Sequence, residues 1–244
     1  MKPFLILQHR PINEAAENEL DAFLFYGGLI KTEIQRIRME ENGIPELSLD
    51  DYSGIICGGG PSNVSDPEER KGLSQLRFEA DLTRLYPQIF EKDFPFLGAC
   101  YGIGSLTNYL GGEVSTSNYA EEVGSSNIYL TEEAESDPLT QGLPNKFKAF
   151  VGHKEACQNL ADGAILLARS TKCPIQMIRF RKNIYATQFH PELDNEGFGL
   201  RIRIYKSYGY FTPERAETLI NQIQYEKVTV PELILKRFVE RFRR

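Results

Sequence analysis

The sequence predicts an α/β fold around a mainly parallel sheet, and three observations carry the expectation. Short apolar runs followed by stretches with helical spacing recur three times in the first 112 residues. Glycine clusters mark the joints, as in CGGGP and in Gly111–Gly112. The chain, 244 residues with 41% hydrophobic content, is long enough to bury a full core in one domain. Parallel neighbours need crossover connections, so short buried strands alternating with helices imply a sheet covered on both faces. Functional loops then belong at the carboxyl ends of the strands.

Along the chain, PFLILQH opens with a strand over Phe4 to Leu7, and helix-spaced apolar residues follow from Pro11 to Tyr26. A second strand, Ser53 to Cys57, runs into the glycine loop and is followed by the helical stretch LRFEADLTRLYPQIF. FPFLGAC reads as a third strand, and IGSLTNYLGG as a helix stopped by its two glycines. From about Glu113 to Phe150 the pattern is irregular, with acidic loop residues Glu132, Glu133, Glu135 and Asp137. Apolar runs resume at AILLARS, IQMIRF and IYATQFH, which read as a closing set of strands.

Composition shifts beyond Pro191. Residues 201–244 carry 10 Lys or Arg against 5 Asp or Glu, whereas the first 200 carry 18 against 29. Thr212 and Pro213 can start one helix, and Pro231 another that presents Leu233, Leu235, Phe238, Val239 and Phe242 on an apolar side. The chain therefore divides into a principal domain over 1–200 and a basic helical extension over 201–244 packed on the same domain, with its arginines solvated. An interaction surface for a partner is the alternative reading of the extension.

A net charge of −6 gives no general affinity for nucleic acid, and a small-molecule substrate fits better. The four cysteines, Cys57, Cys100, Cys157 and Cys173, form no CxxC pair and have no zinc-like spacing with His9, His153 or His190. No metal is expected, and a reducing cytoplasm is the simplest setting. The apolar run at the N-terminus is too short for a signal-peptide core, and no run approaches the roughly 20 residues of a membrane helix.

Three segments carry chemistry. In FLGACYGIG, Cys100 stands where a strand turns into a helix; such a corner lifts the side chain above the sheet edge, and a helix start favours an anionic sulfur. Gly98, Ala99 and Gly102 suit a sharp elbow, although a buried structural thiol is the plain alternative. In ATQFHPELD, a strand ending at Phe189 delivers His190 to the carboxyl edge, and Glu192 can project to a similar side. Imidazole can take a thiol proton and return it to a leaving amine while a carboxylate orients the ring. In CGGGP, Gly59 and Gly60 are candidate oxyanion donors or, equally, a plain turn.

GGGP, then GACYG, then QFHPE over residues 4 to about 194 resembles the class I glutamine amidotransferases, especially stand-alone proteins similar to the glutaminase domain of GMP synthase. The resemblance implies a flavodoxin-like three-layer sandwich. It implies a Cys100, His190, Glu192 triad that forms a γ-glutamyl thioester from glutamine or another γ-glutamyl amide and releases ammonia or amine. It also implies an oxyanion hole from the Gly60 loop and the Tyr101 N–H. No organic cofactor is implied, because thioester chemistry needs none. Two departures bear on substrate. Gly104 stands where the family commonly has a glutamine that holds the substrate's amino-acid end. In GHKE, Gly152 and Lys154 flank His153 where relatives have serine or asparagine before it and glycine after it. Gly152 can still offer backbone contacts, and His153 shapes the pocket or a partner surface. The partners implied are glutamine or a γ-glutamyl small molecule, and a separate ammonia-acceptor subunit if the chain does not simply hydrolyse. A γ-glutamyl peptidase is the alternative within chemistry. A catalytically silent binding module on the same scaffold is the alternative outside it.

Overall fold

A computed structural model describes residues 2–244. The elements run β1 (Phe4–Gln8), α1 (Asn13–Gly27), β2 (Ile34–Arg38), the short α2 (Met39–Asn42), β3 (Gly54–Cys57), α3 (Leu73–Glu91), β4 (Phe96–Ala99) and α4 (Tyr101–Tyr109). They continue with β5 (Val114–Ser115), β6 (Glu121–Leu130), β7 (Lys146–His153), β8 (Ala156–Cys157), β9 (Ala164–Ser170), β10 (Met177–Phe180) and β11 (Ile184–Thr187). Helices α5 (Asn195–Tyr205), α6 (Ala216–Ile223) and α7 (Pro231–Phe242) close the chain.

The main sheet has nine strands in the order β2-β1-β3-β4-β11-β10-β9-β6-β7. Its first five are mutually parallel, as the strand–helix repeats predict, and their 2-1-3-4-then-last order is the flavodoxin-like one. The remaining pairings are antiparallel. Registers Leu7↔Cys57, Cys57↔Gly98 and Ala99↔Thr187 align the carboxyl ends of β1, β3, β4 and β11 on one edge. A common edge follows from parallel pairing alone, since every crossover helix returns the chain to the same starting side.

Alternation within β1 builds the two outer layers. Leu5 and Leu7 face Phe78, Leu82 and Ile103 of α3 and α4, whereas Phe4 and Ile6 face Leu20 and Phe23 of α1 and Phe238 of α7. The C-terminal helix is therefore half of one layer. Ile234, Leu235, Phe238 and Val239 are completely buried, and Phe238 lies 6.3 Å from Phe4 between ring centroids. Leu233, expected on that apolar face, is 39% exposed, because the helix rotates it away from the sheet. Helix α5 crosses residue 200 without interruption, and with α6 it packs Phe198, Ile202, Leu219 and Ile223 against Val123 and Phe150.

Two segments differ from expectation. Residues Glu113 to Phe150, irregular by pattern, contain the long antiparallel pair β6 and β7. In β6 the polar Ser125, Ser126 and Asn127 and a register shift between Glu121 and Gly124 erase the alternation that marks a half-buried strand. Edge strand β2 carries three Gln or Arg positions and is only partly buried, so it too lacks an apolar signature.

Packing assigns opposite outcomes to two leucine-to-phenylalanine-sized positions on α7. Phe238→Ala is expected to cost about 3–5 kcal/mol in urea unfolding, and Leu233→Ala less than about 1 kcal/mol.

Candidate active site

Cys100 is the first residue after β4 and the cap of α4, with φ 52° and ψ −91°. A positive φ at a non-glycine residue costs on the order of 1–3 kcal/mol and persists only where surrounding structure imposes it. Here the Cys100 N–H donates to the Thr187 carbonyl of the neighbouring strand at 2.7 Å. A Cβ at Gly98 would come within 3.0 Å of the Gly102 backbone, so a side chain there would crowd the start of the helix. The elbow anticipated from GACYG is present, and its thiol is partly exposed while Cys57, Cys157 and Cys173 are buried. Burial pushes those three thiols upward, to about 12, about 11 and about 12.

The β3 loop passes directly over the cysteine. Gly58 N–H donates to the Leu7 carbonyl, whereas the amides of Gly59 and Gly60 find no backbone acceptor among the described residues. A Cβ on Gly59 would lie 2.6 Å from His190 Cε1 and 3.2 Å from Cys100 Cβ, and one on Gly60 would strike His9 at 2.1 Å. Close approach is what these glycines permit. His9 is itself buried between Tyr101 and Phe78, and burial, reinforced by Arg10, lowers its pKa to about 3. At neutral pH it is an uncharged wall under the loop. Tyr101, the first residue of α4, contributes a helix-start amide beside the sulfur, while its hydroxyl donates to Glu79 at 2.9 Å.

His190 follows β11, its N–H donating to the Phe150 carbonyl at 3.2 Å. Its Nδ1 lies 2.9 Å from Glu192 Oε1, which leaves the other ring nitrogen for the sulfur side. Burial opposes the imidazolium, yet Glu192 and the hydrogen bond to Cys100 outweigh it and raise the pKa to about 9. Glu192 is fully buried. Burial alone would raise its pKa, but His190 and Arg201 hold it well below the usual carboxylate range. Arg201 Nη1 donates to the same Oε1 at 2.8 Å and stands 4.0 Å from Glu19, which in turn binds Arg10 at 2.6 Å and Gln8 at 2.8 Å. Arg201, read from sequence among the solvated arginines of the extension, is buried, because Glu192 requires a cation and α5 supplies it. Arg10, Glu19 and Arg201 have no motif; only their convergence in space marks them.

A second group of predicted residues lies across the cysteine. His153 Nδ1 is 2.8 Å from the Glu155 carbonyl and Nε2 is 3.1 Å from Glu121. Glu155 is buried and accepts from the amides of Val64 and Ser65 at 2.7 and 2.8 Å. Its Oε1 and Val64 Cγ2 lie 3.5 and 3.4 Å from where a Gly104 Cβ would be, ordinary contact distances, and Gly104 lines the cleft between them and Cys100. A Cβ on Gly152 would meet Val123 at 2.9 Å. Lys154 Nζ sits 4.6 Å over the Tyr210 ring, and Tyr210 donates to the Gly60 carbonyl at 3.4 Å, so the segment after α5 is strapped across the site. Sequence reasoning missed Tyr210, which stands in a stretch without periodicity.

Glu121, His153 and Cys173 present ligand-type atoms within 4.8 Å of one another, the only such cluster among the described residues. Glu121 already accepts from Ser126, Ser170 and Gln176, and the Cys173 thiol holds its proton, so the donor set suits a hydrogen-bonded core rather than a cation. No helix among the described residues is long and apolar enough to cross a membrane.

A family model described as glutamine amidotransferase class-I matches residues 21–203. A GMP synthase [glutamine-hydrolyzing] of Borrelia garinii subsp. bavariensis is 30% identical over 207 residues, covering 82% of this chain and 36% of that protein. One from Thermosipho melanesiensis is 33% identical over 151 residues, covering 62% of this chain and 26% of that protein. The chain thus spans about a quarter to a third of the length of these curated relatives. Among solved structures, a glutamine amidotransferase from Thermotoga maritima superposes with a TM-score of 0.77 at 19% identity, covering 99% of this chain and 98% of that one. A glutamine amido transferase from Methylobacillus flagellatus gives 0.71 at 18% identity, covering 100% and 96%.

The raised pKa of His190 has a stability consequence. Its contribution is complete below about pH 6.5, the ordinary histidine value, and is lost as pH rises through about 9. The gap in unfolding free energy between wild type and His190→Ala should therefore narrow by about 3 kcal/mol between these limits, read from urea titrations at each pH.

Proposed function

Since the chain belongs to the class I glutamine amidotransferase family, a family of cysteine-dependent amidohydrolases, we propose that it cleaves glutamine or another γ-glutamyl amide through Cys100, His190 and Glu192. The observation that carries this reading is the positive-φ elbow that holds Cys100 against a histidine already oriented by a buried glutamate.

In this mechanism the Cys100 thiolate attacks the γ-carbonyl carbon while His190 is an imidazolium. In this reading the amides of Gly59, Gly60 and Tyr101 stabilise the oxyanion. Collapse of the tetrahedral species breaks the C–N bond, and His190 gives its proton to the leaving nitrogen. Water then attacks the thioester, with His190 taking a proton from it. Glutamate leaves and Cys100 is restored. Glu192 keeps the ring aligned throughout and balances its charge.

The lining of the polar cleft on one side of Cys100 supports the γ-glutamyl assignment. It is lined by Lys154, Glu155, Asn63 and Gln188, charges of both signs that suit the zwitterionic amino-acid end of such a substrate. Transfer of ammonia to a separate acceptor subunit is the second form of the same reading, favoured by the synthases among the relatives.

Release of glutamate from glutamine and from γ-glutamyl amides is the test. Cys100→Ala should lower turnover at least about 10³-fold and abolish covalent labelling by a glutamine-like electrophile, seen by mass spectrometry. Equal release by wild type and Cys100→Ala would remove the assignment. Activity should fall above about pH 9 as the imidazolium is lost, and Glu192→Gln should move that fall to lower pH.

A further inference from the structure

Cys100 separates two clefts of opposite character. The polar one holds Lys154 and Glu155; the other, about 50 Å³ in volume, is walled by Val123, Leu193, Phe198, Ile202 and Phe211. His190 lines the second cleft and not the first. The side from which the leaving nitrogen receives its proton is therefore the apolar side. We infer that this cleft is a leaving-group subsite, and that the preferred substrate is a γ-glutamyl amide of an apolar amine rather than glutamine itself.

The inference rests on the hydrolase reading above and adds to it what departs with the nitrogen. Ammonia is the size of one water molecule, which takes up about 10–15 Å³ of such free space, and it gains nothing from aliphatic and aromatic walls. A hydrocarbon substituent on the nitrogen would cover those walls and be removed from water with them. Arg10 and Arg201 also border the cleft, but their guanidinium groups are bound to Glu19 and Glu192. Nε and Nη2 of Arg201 are buried and without a partner among the described residues, so γ-glutamylglycine is the comparison that weighs an anionic substituent against the apolar walls. The walls come from the start of β6, from the loop after β11, from α5 and from the segment strapped down by Tyr210, so residues beyond 192 shape the selectivity of the reaction. The chemistry balances as before: the Cys100 sulfur bonds to the γ-carbon, the C–N bond breaks, and the His190 proton converts the nitrogen to a free amine. Water then completes hydrolysis to glutamate.

Initial rates of glutamate release from glutamine, γ-glutamyl-methylamide, γ-glutamyl-isobutylamide and γ-glutamylglycine decide the matter. The value of kcat/KM should rise with the size of the neutral substituent, with isobutylamide about 10-fold or more above glutamine, as expected for burying a branched aliphatic group. γ-Glutamylglycine should fall below the isobutylamide. Val123→Phe, which fills the cleft, should bring the isobutylamide-to-glutamine ratio towards one. Efficient glutamine hydrolysis without a gain for isobutylamide, or a preference for γ-glutamylglycine, overturns the subsite while leaving the hydrolase reading intact. Cleavage of none of the four, together with no labelling of Cys100 by a glutamine-like electrophile, overturns both.

Discussion

The carboxylate of Glu192 sets the terms for much of this molecule. It is fully buried, and an ionised carboxylate in such a place is tolerable only with cations and hydrogen-bond donors around it. His190 supplies one and Arg201 the other, both to the same oxygen. Arg201 then brings in Glu19 of α1, and Glu19 brings in Arg10 and Gln8 at the end of β1. One buried charge thereby ties the end of the parallel sheet to a helix from each end of the chain. The same charge raises the affinity of His190 for its proton, so the electrostatics that orient the imidazole also hold it ready as an acid.

Backbone geometry makes this arrangement useful. Parallel strands deliver β1, β3, β4 and β11 to one edge, where the glycine loop, the cysteine elbow and the histidine meet without any long excursion of chain. Strain at Cys100 is local and of modest cost, and it is sustained by the Cys100 to Thr187 hydrogen bond and by the tight packing of Gly98 on Gly102. A rigid sheet edge is what allows a single residue to be held in an unfavourable conformation.

The C-terminal residues are part of the same construction. Helix α7 fills half of a layer, α5 supplies the buried arginine, and the segment after α5 closes over the cleft through Tyr210. Stability and selectivity are therefore carried by the same stretch of chain. Changes made there to alter the cleft must preserve the apolar contacts of Phe198 and Ile202 with Val123 and Phe150.

Local pattern in the sequence determined the parallel half of the fold and the three segments around Cys100, Gly59–Gly60 and His190–Glu192, because short apolar strands, elbow glycines and a histidine at a strand end leave their mark within a few neighbouring residues. Long-range pairing left no such mark. Strand β6 is half-exposed and bulged, so its alternation is lost; β2 lies at an edge; Arg201 looks like any surface arginine until Glu192 is placed beside it. The tertiary structure alone decided that Glu155 and Val64 stand beside Gly104, that Tyr210 reaches Lys154, and that the cysteine divides a polar cleft from an apolar one. Each of these depends on side chains separated by tens of residues, whose mutual distance is set by the packing of layers and not by the spacing of letters.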